Sequence, residues 1–229
     1  VRGVIVAMTA VGCQLEKDGP SADRQSGMIE LRVSEAGMTK AASTEMEKVI
    51  NSLHVFAFYG ERLAGYAARQ ATVLDEPFYM DLELPETGTH AVKFYLVANE
   101  AEMTYENSPV TLSKNMTISQ LENLKFSALT TGYALPMYCI QTENINVDAV
   151  SDAANNEEGH EGHIILTQKV KFVLTRPLAK VSVYAAKTSG ASTDPQILSI
   201  KLLAPGTRSY NYLLPQTDEV LNAIPSRVN

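Results

Sequence analysis

The sequence contains no tryptophan, two cysteines, four histidines, and 19 Lys+Arg against 26 Asp+Glu. Each shortage excludes something. Without tryptophan, a sugar-stacking platform loses its usual anchor. Tyr59, Tyr66, Tyr79 and Tyr95 could line such a face, but tyrosines in strands are more often packed sheet residues. A formal net charge of −7, with no lysine or arginine stripe, argues against a nucleic-acid partner. No G-x-S-x-G, H-E-x-x-H or phosphate-binding loop is present. No segment carries the run of about 20 apolar residues that a membrane-spanning helix needs. Internal repeats and low-complexity tracts are also missing. The sequence therefore gives no basis for an enzyme, a cofactor or a metal site.

The few candidates for chemistry have plain explanations. His160 and His163 form H-x-x-H beside Glu157, Glu158 and Glu161, but a glycine-rich acidic loop gives the imidazoles nothing to hold them rigid. His54 lies in an apolar strand run and reads as a satisfied sheet histidine; His90 opens a strand after a turn. Cys139, inside LPMYCI, reads as a small buried hydrophobe whose thiol pKa burial would raise. A Cys13–Cys139 disulfide is the rival reading.

What is present is patterned. Apolar residues make up 45% and charged residues 20%, enough for a core in one large or two small domains. Residues 1–12, VRGVIVAMTAVG, form a short apolar run with a small-residue ending, the character of a secretory signal core. A charged, serine-rich stretch, QLEKDGPSADRQSG, follows Cys13 and reads as a tether over residues 13–27. In GMIELRVSE, Ile29, Leu31 and Val33 alternate with Glu30, Arg32 and Ser34, which predicts a half-buried strand. The near-continuous run VINSLHVFAFYG ends at Gly60 and suits a central strand covered on both faces. ATVLDEPFYMDLELPETG predicts two short strands around Pro77. HAVKFYLVANE places Val92, Phe94, Leu96 and Ala98 on one side. In NMTISQLENLKF, Ser119 and Glu122 have capping-box spacing, and Ile118, Leu121 and Leu124 recur at helical intervals. Further strands are expected in YALPMYCIQTE, on both sides of Arg176-Pro177, and in DPQILSIKLLAPG. Many short strands punctuated by turns predict an all-β sandwich, of Greek-key or transthyretin-like type, with one or two short helices.

Two resemblances add to this reading. Ala10-Val11-Gly12-Cys13 resembles the lipobox of bacterial lipoproteins, with Ala10 where leucine is usual. That resemblance implies cleavage before Cys13 and lipid on its thiol. The order of the lipobox-like cysteine, the tether, the first strand, TK-A, INSLHVFAFYG, KFYLVANE, the helix, YALPMYC and KFVLTRPLAKVSVYAAK resembles the fimbrillins of Bacteroidales, the FimA/Mfa superfamily of type V pilins. The similarity runs over roughly residues 10 to 205. It implies that residues 28–229 are the family's N-terminal β-sandwich domain, with the usual second domain missing.

The family mechanism, carried onto this sequence, is proteolytic. An Arg- or Lys-specific protease cuts a lipidated precursor at the outer membrane and removes its first strand. The matching junction here is Lys40-Ala41, with lysine where well-known members have arginine. Arg24, in the tether, and Arg32, shielded in the strand, are the other basic sites. Removal would vacate the groove filled by Ile29, Leu31 and Val33. Burying such side chains contributes about 1.5–3 kcal/mol each, so a replacement would be favoured by roughly 5–9 kcal/mol before ordering costs. A strand from the next subunit could supply it, and repetition builds an open filament. The implied partners are other fimbrial subunits, the outer membrane through lipid, and a host or bacterial surface receptor. The rival is a lipid-anchored surface module that binds a glycan or protein and does not polymerise.

Overall fold

A computed structural model of the chain describes residues 24–35, 50–70, 75–100, 103–126, 134–150, 164–177, 189–190, 192 and 212–216. Ten strands and one short helix lie within them. One sheet has the order β10 (Ile164–Leu174), β1 (Arg24–Glu35), β4 (Phe78–Pro85). The second has the order β3 (Arg62–Gln70), β2 (Ser52–Tyr59), β5 (Thr89–Ala98), β9 (Met137–Asn146). The fold is all-β, two sheets packed face to face.

Alternation explains the packing. On β4, Phe78, Met80, Leu82 and Leu84 point inward and are buried, between the exposed Asp81 and Glu83. On β5, Val92, Phe94, Leu96 and Ala98 join the same core. Phe94 meets Phe172 of β10 across the interior, ring centroids 5.1 Å apart. Backbone hydrogen bonds in both directions between Tyr138 and Thr175, at 2.9 and 2.7 Å, stitch the end of the first sheet to β9.

β2 lacks alternation because both its faces are covered. Leu53, Val55 and Ala57 face the sandwich interior; Phe56 and Phe58 enter a second apolar cluster on the outside of the sheet, with Tyr95 and Val97 of β5. That cluster is roofed by a small sheet, β7 (Ser108–Val110), β6 (Met103–Tyr105), β8 (Lys125–Phe126), and by α1 (Ile118–Glu122). Gly60, at φ 60°, turns β2 into β3 in a two-residue hairpin, where the left-handed region favours glycine.

Several sequence expectations need adjustment. β1 begins at Arg24, four residues before the expected start at Met28, so Arg24 pairs with Pro85 and belongs to a strand. Asp75–Pro77 form a turn and an approach, and a single described strand follows Pro77. The helix is capped two residues earlier than expected. The hydroxyl of Thr117 accepts from the Gln120 N–H at 3.2 Å, and the Gln120 side chain accepts from the Thr117 N–H at 2.9 Å. Ser119 and Glu122 share the spacing, but Thr117 alone has the extended backbone that a cap requires. Leu121 and Leu124 are fully buried, as their spacing predicts.

Candidate functional site

The candidate site is the place that β1 occupies. β1 runs antiparallel to β4 and parallel to β10, so both its backbone edges are paired. A parallel pair requires a long connection, and the intervening chain builds the whole second sheet. Leu31 lies opposite Phe78 on one side and Val170 on the other; Ile29 lies opposite Met80, and Val33 opposite Phe172. Ile29, Leu31 and Val33 are all completely buried, in one cluster with residues from both sheets. The three residues expected to fill the groove are therefore brought together.

The outer side of β1 is less open than a half-buried strand should be. Glu30 is 6% exposed. One carboxylate oxygen accepts from Arg32 Nε at 2.9 Å and the other from Lys169 Nζ at 2.7 Å. Burial alone would push this carboxyl up; the hydrogen bonds and charges of Lys169 and Arg32 outweigh it and hold its pKa below the ordinary glutamate value. Glu30 thus binds its proton more weakly in the folded state. Its stabilising contribution is present above the unfolded glutamate pKa and fades as pH falls through the lower, folded value. Urea unfolding should show the midpoint dropping as pH is taken from neutral to about 3, and Glu30→Gln should flatten part of that slope.

The other candidates have structural roles. Cys139 is a free thiol, buried, with its pKa raised by that burial. His54 Nδ1 is 2.9 Å from the Tyr66 hydroxyl, and its Nε2 is 3.3 Å from the Glu100 carboxylate, so it is the satisfied sheet histidine expected. His90 Nε2 lies 2.9 Å from the Thr87 carbonyl. The tyrosines do not form a platform. Tyr95 is fully buried in the outer cluster and donates to Glu122 at 2.5 Å, while Lys93 reaches the same oxygen at 3.2 Å. This pair fastens α1 to the sheet. Cys13, Lys40, Ala41, His160 and His163 lie outside the described residues. Among the described residues, no helix is long and apolar enough to cross a membrane.

The sequence does not mark Glu30 and Lys169 as a pair. Glu30 stands where an outward strand residue should stand, and nothing in the local pattern shows that β10 will lie beside it.

These observations define a structural β-sandwich module, whose first described strand is the middle strand of one sheet. Residues 28–196 match the family model of the major fimbrial subunit protein (FimA), and the chain belongs to that family, which is one of structural subunits. No curated protein matches the sequence. Solved structures that resemble it include a fimbrial assembly protein from Parabacteroides distasonis, 14% identical, with 67% of this chain and 54% of that one covered at a TM-score of 0.42. A fimbrilin from Porphyromonas gingivalis is 14% identical, with 66% and 39% covered at 0.39. The fimbrial anchor protein Mfa2 from the same organism is 11% identical, with 65% and 49% covered at 0.38. The chain thus spans between 39% and 54% of the length of these three.

Proposed function

We propose that this chain is a fimbrial subunit precursor, exported as an outer-membrane lipoprotein through Cys13 and working by assembly and adhesion. A basic-residue-specific protease cuts at Lys40-Ala41 and frees β1. A strand from another fimbrial subunit, a copy of this chain or a different one, takes its place, and a surface receptor is the target of the assembled fibre.

One observation carries the reading. β1 is a middle strand with a completely buried inward face, yet it is the first described element, and Lys40 falls within residues 36–49 that separate it from β2. A cut there detaches a sealing strand and leaves the rest of the chain continuous. It would bare two facing rows of backbone N–H and C=O groups, on β4 and on β10. One extended segment can satisfy both rows and the apolar trough together.

The test is digestion of the precursor lacking residues 1–12 with a trypsin-like protease, followed by mass analysis and polymer sizing. A cut after Lys40 and a ladder of oligomers are expected. A clean cut that leaves stable monomers would contradict assembly and favour a monomeric binding module.

A further inference from the structure

We propose that the slot reads charge as well as shape: a carboxylate on the outward side of the incoming strand, at the position pairing with Lys169 of β10 and Tyr79 of β4, sets that strand's register. The inference rests on the reading that β1 is replaceable.

Apolar alternation cannot fix register by itself. A slip of one residue turns the apolar side chains outward and is strongly disfavoured. A slip of two keeps every apolar residue pointing inward. In β1 such a slip puts Leu31 where Ile29 was and carries Glu35 to the Val33 position, or puts Ile29 where Leu31 was and carries Gly27 to the Ile29 position. For an incoming strand whose flanking residues are also apolar, the outward face supplies the discrimination that the inward face then lacks. Glu30 sits 6% exposed between Arg32 and Lys169, with both oxygens engaged. Sliding the strand one way brings Arg32 into that enclosed position, directly against Lys169, where like charges repel. Sliding it the other way brings Met28 there, which offers Lys169 no acceptor.

The reader stays when the strand leaves. Glu30 and Arg32 both belong to β1 and depart together, whereas Lys169 is part of the β10 wall. The neighbouring Lys171 is held by Asp75 at 3.0 Å, so it does not compete for the same carboxylate. The occupant that fits is an extended segment of another fimbrial subunit, with three alternating apolar residues and an acidic residue between the first two, as in the IELRV of this chain. Lysine or arginine at that position is disfavoured by Lys169.

The experiment uses the whole chain, nicked by a trypsin-like protease that is then inhibited. Labelled peptides of the 12-residue β1 sequence are offered, with the native glutamate, Glu30→Gln or Glu30→Lys, and incorporation is followed by fluorescence anisotropy. The native peptide should be preferred over the lysine peptide by roughly tenfold, with the gap narrowing at high salt. The preference should reverse in a Lys169→Glu chain and vanish in a Lys169→Gln chain. The Lys169 side chain is 64% exposed, so neither replacement opens the core. Equal incorporation of all three peptides would overturn the register inference and leave the replaceable strand standing. No incorporation of any peptide would overturn the replaceable strand and the inference with it.

Discussion

Leu31→Ala should destabilise the fold by about 2–5 kcal/mol, the range for emptying a buried leucine site. Leu31 is completely buried and paired on both sides, with Phe78 on β4 and Val170 on β10. It therefore touches the interior from the middle of a sheet, where the neighbours are fixed by their own pairing and collapse poorly into a void. Urea unfolding monitored by circular dichroism measures the loss. Ser34→Ala is the internal comparison. Ser34 is on the outward side, and its hydroxyl donates to the Phe172 carbonyl at 3.2 Å, so its loss should cost only about 1 kcal/mol. Equal losses at the two positions would mean that the inward face of β1 does not seal the core. The same leucine variant should also be digested faster, because a loosely seated strand opens more often.

Gly65→Ala should cost about 1–3 kcal/mol and Gly65→Val more, by overpacking. A Cβ placed on Gly65 would stand 2.5 Å from the Asp81 carbonyl oxygen and 2.8 Å from Leu82 Cδ2. Asp81 and Leu82 belong to β4, so at this point the two sheets touch backbone to backbone. A carbonyl in a paired strand cannot swing aside as a flexible side chain can. The register shift between Ala57 and Phe58, which leaves Ala64 as the extra residue on β3, lies next to this contact, and such a bulge bends its strand. Gly60→Ala is the contrast. Its added Cβ meets nothing, and the cost is only that of a left-handed φ, about 1 kcal/mol. Thermal unfolding of both alanine variants decides between them. A neutral Gly65→Ala would show that β3 and β4 do not approach so closely.

The fold was legible where one residue pattern had one cause. IELRV alternates because one side faces the core, and LHVFAFY is continuous because β2 has apolar layers on both sides. Val92, Phe94, Leu96 and Ala98 likewise fall on the expected face. Legibility failed where partners are distant in the chain. Nothing in GMIELRVSE announces a parallel neighbour at residues 164–174, and without that neighbour Glu30 looks like an ordinary solvated glutamate. Spacing does not fix the cap, because capping depends on the extended backbone that Thr117 has, and the spacing rule fits Ser119 equally well. Of the candidate site, Ile29, Leu31 and Val33 could be read from alternation; the residues that hold their strand in register could not.

Among the described residues, the four-stranded sheet separates two apolar compartments. β1 lines one of them and contributes nothing to the other, which is closed by α1 and the small sheet. Like a ship's bulkhead, the sheet confines a breach. Loss of the first strand would open one compartment to water and take no side chain from the other.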